Sequence, residues 1–578
     1  MAGPQAYSPS DEQCEVMEPP TMTFSSISLD SAESLAILFF LGVASHVLAF
    51  RKGEWDMWTM PFICTWITYQ AVTPCALNQL RHMAYFDAMI LANKWLFSFL
   101  FGMTSSILIY RGFFHRLNKF PGPFVARLSN VYASWLAIKE EHMYLEVQKL
   151  HQKYGDIVRI GPQELSIATP SAFRILHANN SPIVKGPFYN VARPCVNLLA
   201  DRNKKSHAQR RKTWDKAFTA KALRDYEPRV VRYTKQLTEQ IEKTKGNPIN
   251  IGAWINFYTF DIVGDLAFGT SFNYLVNGVK DKFLRDSHDS QVLMGYFRQC
   301  TWLFEVFKET PLLNNSWLSF QSWLKQKVEV RRQNKPSEPD VLSWILEEYD
   351  SIENPTKDDY LRLCGDAHLI AVAGSDTTSA ATSVLLHQLT LHPNVLKKLQ
   401  AEIDEYQANY EKPDHFSMTK LQYLQACIDE SLRLHPVIMS GLQRMTPPEG
   451  MQIDDVFIPG DTIFHAPSYT IYRDERCFVR PLEFIPERWT TQPELIIDSS
   501  VYAPFSTGRG ACAGKQLGLM EMRYVLTEIL SKYNMSFAPG TNPEAFIDGL
   551  RDCFTLELPE LNMIFTPRGE KSHRTVPY

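Results

Sequence analysis

Pairing is what the ten cysteines of this sequence lack: they are scattered, and no two form a CxxC pair, which excludes a disulfide framework and a zinc site of that type. A basic excess is missing as well. Lysines and arginines number 59 against 63 acidic residues, a formal net charge of -4, so there is no electrostatic footprint for nucleic acid. The first 33 residues contain neither Lys nor Arg, which rules against a cleaved signal peptide, whose leading segment is basic. No internal repeat occurs. What is there is a chain of 578 residues, 45% hydrophobic and 21% charged, an ordinary balance for a protein that buries a large core.

Residues 1–33 read as an acidic tail carrying Asp11, Glu12, Glu15, Glu18, Asp30 and Glu33. Three mainly apolar stretches follow, at residues 34–50, 57–77 and 88–110. The second is interrupted by Pro61 and Pro74, and the third contains Lys94. Residues 34–110 therefore read as a membrane anchor with one to three spans. Buried core helices fit less well, because the three stretches lie together ahead of any amphipathic sequence. Arg51 and Lys52 follow the first stretch, and Arg111, Arg116 and Lys119 follow the third, which predicts a lumenal tail and a cytosolic body. Residues 111–130 read as a linker whose FPGPF segment, 120–124, acts as a hinge. Beyond it, residues 131–578 alternate long helical patterns with a few short strands, such as 157–160 and 165–168 around the Gly161-Pro162 turn. The expected body is mainly α with small β-sheets.

One cysteine stands apart. Residues 504–515, PFSTGRGACAGK, set Cys512 in a Gly-rich loop just before an apolar-periodic run, so a helix N-terminus favours its thiolate. Gly508, Gly510 and Gly514 add no side-chain bulk, which leaves room for a flat macrocycle, and Phe505 is placed to pack beside the sulfur. Residues 363–386 form a long helical pattern that contains Ala373-Gly374-Ser375-Asp376-Thr377-Thr378, small and hydroxylic residues that mid-helix propensity disfavours. Either Asp376 and Thr377 serve chemistry there, or the hydroxyls bond to the preceding turn of a kinked helix. Glu430 and Arg433, three apart, can pair on one helical face, and Pro486-Glu487-Arg488-Trp489 supplies a second arginine downstream. His207 and Arg211, four apart, share a face of a basic helical segment.

In this arrangement Phe505, Gly508, Cys512 and Gly514 resemble the haem-binding signature of the cytochrome P-450 family, and the other motifs occur in that family's order over residues 120–567. One position departs from it: where the family has an Arg two residues before the cysteine, this chain has Gly510, with Arg509 adjacent. The resemblance implies a P-450 fold preceded by transmembrane helices, with haem b ligated by the Cys512 thiolate. It further implies that Asp376 and Thr377 guide protons and that Glu430, Arg433 and Arg488 form a buried structural lock. His207, in place of the family's Trp, Arg211 and Arg444 would meet the haem propionates, and residues 437–442 would line the substrate cavity. The implied activity is a monooxygenase reaction of dioxygen with a lipophilic small molecule. No flavin or iron–sulfur module is recognisable in the chain, so a separate NADPH-dependent flavoprotein reductase is the implied electron donor. The chain's style, with KYGDIVRIGP, is most similar to fungal members of secondary metabolism, in the endoplasmic reticulum membrane. A haem-thiolate isomerase or a non-catalytic haem-binding protein are the alternatives.

Overall fold

The computed structural model describes residues 30–569, apart from 281, 337 and 411–413, so most of the acidic tail lies outside the described residues. Two compact units divide the chain: residues 1–53 with 65–108, and residues 54–64 with 109–578.

The first unit is built on three helices, α1 (Ala32–Ser45), continued by a π-helical turn (His46–Phe50), α2 (Thr59–Arg81) and α3 (Tyr85–Ile109). Ser31 caps α1 by accepting from the Ser34 N–H. α1 and α3 run parallel: the Lys94 ammonium meets Asp30, Ser98 Oγ donates to Leu35 O at 2.7 Å, and Ser106 lies 2.8 Å from His46 Nδ1. Their backbones touch where Gly42 and Gly102 face each other's helix. A Cβ at Gly102 would come within 2.0 Å of Phe39 O, and one at Gly42 within 2.0 Å of Phe99 O. α2 runs antiparallel to α3, with Tyr69 donating to Ala92 O and Asn78 to Met83 O. The prolines expected to interrupt this stretch do not break it. Pro61 falls in the first turn, where no helical N–H is lost, and Pro74 is carried inside one 23-residue helix.

Large apolar side chains of this unit face outward, among them Phe40, Leu48, Trp66, Val72, Phe97 and Phe101. The helical stretches Ala32–Phe50 and Tyr85–Phe114 are long and apolar enough to cross a membrane. A third apolar stretch of that length, Lys357–Leu391, is largely buried and belongs to the core of the second unit.

The second unit is mainly helical with small sheets. Its five-stranded sheet comprises β1 (Ile157–Gly161), β2 (Glu164–Ile167), β3 (Val184–Lys185), β4 (Arg444–Met445) and β5 (Ile463–His465), in the order β1-β2-β5-β4-β3. Only the β2–β5 pairing in it is parallel. The FPGPF segment, expected as a hinge, is seated on β1 instead: Pro121 O accepts the Arg159 N–H at 2.7 Å, and a Cβ at Gly122 would meet Arg159 O at 2.3 Å. Phe120 is buried there.

Six helices position the site. They are α4 (Lys204–Ala217), α5 (Ile251–Phe268), α6 (Lys282–Phe297), α7 (Lys357–Ala373), α8 (Asp376–Leu391) and α9 (Gln422–Leu434), and a seventh, α10 (Lys515–Lys532), follows Cys512. α5 is apolar on almost every side and buried throughout, as a central helix must be. The single helix read over 363–386 is two. α7, started by a Thr356/Asp359 capping box, stops at Ala373, and α8 begins at Asp376 after Gly374 and Ser375.

The glycine contact in the first unit generates an expectation. Cysteines introduced at Leu35 and Ser98 should cross-link under mild oxidant in the full-length protein, and adding Gly102→Leu should abolish the cross-link by forcing α1 and α3 apart. An undiminished cross-link would show that the helices do not meet at Gly102.

Candidate active site

The loop that carries Cys512 is held from both sides. Its N–H donates to Phe505 O at 2.8 Å, closing the loop on itself. Gly508 has φ +64° and lies against Asn179, where a Cβ would stand 2.9 Å from Oδ1. Thr507 and Ser506 bond to the backbone and ring of His177. Cys512 is an accessible residue in this loop. Burial pushes its thiol pKa up. The Gly514 and Lys515 N–H groups at the start of α10, together with Arg211 and Lys515, act in the opposite direction. A bound cation at the sulfur removes this cost, because a coordinating thiol is deprotonated.

Around the break between α7 and α8, His368, Leu369, Val372, Ala373, Gly374 and Thr377 are at least partly accessible while their neighbours are buried, and the four-residue spacing of Leu369, Ala373 and Thr377 puts those three on one face. α10 reaches the start of α8: a Cβ at Gly518, six residues after Cys512, would lie 3.2 Å from Thr378 Oγ1. The hydroxyls do bond to the preceding turn, Ser375 Oγ to Ala371 O at 2.8 Å and Thr377 Oγ1 to Ala373 O at 2.9 Å. This donation uses Thr377's only proton and leaves its lone pairs free to accept.

Asp376 and Thr377 are neighbours that point apart. The Asp376 carboxylate is buried and accepts from Asn256 of α5 at 3.0 Å and from Gln291 of α6 at 2.6 Å, with His288 Nε2 at 3.3 Å. Burial alone would raise its pKa, but His288, Gln291 and Asn256 hold it below the ordinary carboxylate value. Sequence reasoning missed these three partners, which are polar residues with no recognisable motif. They border a cavity of about 250 Å³ that also meets Lys280 and Glu557.

Glu430, Arg433 and Arg488 are brought together with no exposed surface. Glu430 Oε1 accepts from Arg433 Nη2, Arg488 Nε and the Ile485 N–H, each at 2.9 Å. Its Oε2 accepts from Arg433 Nε and Trp489 Nε1. The remaining guanidinium protons reach backbone carbonyls at Tyr472, Pro481, Val479 and Leu495, so charge and hydrogen bonds are satisfied together. The cluster ties α9 to the chain that leads into the cysteine loop.

Cations gather beside the loop. Arg211 Nη1 donates to Ala511 O and its Nε to Asp215, while Arg444 Nη1 donates to Tyr189 Oη at 2.9 Å. Burial, with Lys185 as the first opposing charge, depresses His207 to about 4. Arg210 is spent elsewhere, at 2.6 Å from Asp366 and 3.4 Å from Asp201. Arg509, next to Gly510, donates to Ser181 O at 2.5 Å. Partly buried cations with few counter-ions, beside an accessible cysteine, form a donor set that suits a metallated macrocycle bearing carboxylates.

Comparison with known proteins agrees with this geometry. Residues 121–562 match the family described as Cytochrome P450. The chain is 49% identical over 536 residues to the cytochrome P450 monooxygenase FCK2 of Fusarium pseudograminearum, covering 92% of this chain and 97% of that protein. It is 42% identical to the cytochrome P450 monooxygenase orf5 of Eupenicillium brefeldianum over 82% of this chain and 96% of the relative. Against the tryprostatin B 6-hydroxylase of Aspergillus fumigatus the identity is 31%, over 92% and 96%.

The buried triad leads to a stability prediction. Arg488→Ala strips one partner from a fully buried carboxylate and should cost about 3–5 kcal/mol of unfolding free energy in the full-length protein. Denaturant unfolding checks it, and a loss below about 1 kcal/mol, the range of exposed ion pairs, would contradict the lock.

Proposed function

Since the chain belongs to the cytochrome P450 family, we propose that it is a membrane-anchored monooxygenase that oxidises a lipophilic small molecule in fungal secondary metabolism. One observation carries the reading: accessible Cys512 lies in a Gly-rich loop at the start of α10, and α10 reaches α8 at Gly518 and Thr378, next to Thr377. Haem bound through that thiolate supplies the activation of dioxygen. The protein's own groups do the rest. Gly374 and Ala373 add little side-chain bulk, and Thr377 Oγ1 can accept a hydrogen bond while it donates its own proton to Ala373 O. Protons come from the far side, through the polar cavity at His288 and Glu557 to Asp376, whose carboxylate exchanges its Gln291 and Asn256 partners to turn toward Thr377.

Lipophilic substrate chemistry is what the cytochrome P450 family implies. One relative is named for the 6-hydroxylation of tryprostatin B. Electrons come from an NADPH-dependent flavoprotein reductase. Membrane attachment rests on the outward-facing apolar helices, and three spans on their directions. Residues 54–64 belong to the same unit as 109–578, Glu54 pairing with Arg202, so the chain leaves that unit through α2 and returns through α3. The Arg and Lys flanks then put the body on the cytosolic face of the endoplasmic reticulum.

Two outcomes test this reading. In a reductase-reconstituted system fed host metabolite extract, Thr377→Ala should keep haem and lower product formed per NADPH consumed, with the diverted reducing equivalents leaving as peroxide. An unchanged ratio removes Thr377 from proton handling. In intact microsomes the exposed sequon at Asn179 should stay unglycosylated while protease digests the body; a glycan at Asn179 would reverse the orientation. The sequon at Asn314 is a poorer reporter, since Asn314 is buried and bonded to Lys308 O.

A further inference from the structure

The loop between the first two helices of the membrane anchor does not stay with them. Residues 54–58 belong to the second unit, although Glu54 follows closely on the apolar stretch that ends at Phe50. Two segments of the second unit hold this loop. On one side the Glu54 carboxylate accepts from Arg202 Nη1 and Nη2, each at 2.6 Å, and from Asn190 Nδ2 at 3.1 Å, and Asn190 lies in the 3-10 turn Pro187–Ala192. Burial opposes this charge, but Arg202, Asn190 and Arg193 hold the carboxyl below its ordinary value. On the other side Asp56 is hydrogen-bonded by the side chain of Thr301, the first residue of the helix Thr301–Glu309. Glu54 and Asp56 thus bridge two segments that are distant in the sequence.

The seam between those segments adjoins the candidate site. The turn carries Tyr189, which accepts from Arg444, and Phe188, whose N–H donates to Gln443 Oε1 at 2.9 Å. The helix comes directly after α6, whose His288 and Gln291 hold Asp376. Besides the loop, the two sides meet through Lys308 Nζ, which donates to Arg193 O at 3.1 Å, and through the apolar packing of Phe188 and Tyr189 with Phe304. Apolar packing can re-form around an apolar visitor, whereas the polar bridge has to be undone. Glu54 and Arg202 keep 35% and 24% of their side-chain surface exposed, and partly exposed ion pairs are weak enough to open. Trp58 on the loop and Trp302 and Leu303 on the helix are exposed as well, the character of a surface at the edge of a bilayer.

We propose that residues 54–58 form a strap across this seam, and that a lipophilic molecule leaving the bilayer enters the site when Glu54 releases Arg202 and Asn190. This rests on the monooxygenase reading. Glu54 touches no substrate in this scheme; it is a positioning residue that holds the turn against the helix.

The test uses the full-length protein with its haem in phosphatidylcholine vesicles and two ligands of the iron, 1-dodecylimidazole, which partitions into the bilayer, and imidazole, which arrives from water. Binding is followed by the shift of the Soret band in a stopped-flow instrument. If the wild-type protein lacks the spectrum of a thiolate-ligated haem, the underlying reading fails, whatever the variants do. Given that spectrum, Glu54→Gln should bind 1-dodecylimidazole about 3–10 times faster than wild type, the scale of one partly exposed, hydrogen-bonded ion pair. Dissociation should quicken by the same factor and leave the affinity within about twofold of wild type, because a gate changes rates in both directions and keeps the contacts of the bound state. Imidazole association should be unchanged. Arg202→Gln, which breaks the pair from its other side, should reproduce this pattern and carries the test should Glu54→Gln not fold. An unaltered 1-dodecylimidazole rate overturns the proposal. So does an equal acceleration of imidazole, which would mean a general loosening of the body, or a change in affinity with no change in association rate, which would make Glu54 a binding contact.

Discussion

A sulfur that must stay screened from water yet open to a planar cofactor is the constraint on which the rest of this structure depends. Burial opposes the Cys512 thiolate, and the fold answers with backbone N–H groups at the start of α10, a Gly-rich approach that adds no bulk, and cations nearby. The loop is short and has few apolar contacts of its own. Its geometry is therefore borrowed: Asn179 and His177 hold one end, α10 the other, and the buried cluster of Glu430, Arg433 and Arg488 fixes the chain that leads into it.

The charges of the second unit divide by task. Carboxylates and cations that meet inside it, such as Arg210 with Asp366 or Arg331 with Asp340, are satisfied within the protein and tie elements together. Lys185 and Arg444 are otherwise: they share one face of a two-residue ladder, and burial depresses the pKa of both Lys185 and its neighbour His207, whereas Asp376 is held ionised by His288, Gln291 and Asn256.

Much of this was legible in the sequence, because the relevant signals are local. The Gly-rich loop before a helix, the pairing distance of Glu430 and Arg433, and the small-residue step at Gly374 are all written within a few positions of one another. Fold class was legible for the same reason, through helical periodicity and the apolar stretches near the N-terminus. What escaped depends on contacts between distant segments. His288, Gln291 and Asn256 meet Asp376 across gaps of 85 to 120 residues, and Lys185 faces Arg444 through a ladder of two residues. Nor does proline chemistry reveal that the FPGPF segment would settle on β1, since that follows from the room that Gly122 leaves for Arg159 O. The break between α7 and α8 illustrates a softer limit: two readings were open, chemistry or back-bonded hydroxyls, and the structure holds the hydroxyl bonds of one beside the accessible face needed by the other.

The identity of the haem-ligating residue is the most direct test. Reduced full-length protein under carbon monoxide should show the red-shifted Soret band of a thiolate-ligated haem, and Cys512→Ser should eliminate that band while other cysteine-to-serine changes leave it in place. A wild-type spectrum typical of histidine ligation, or a red-shifted band that survives Cys512→Ser, would contradict Cys512 as that residue.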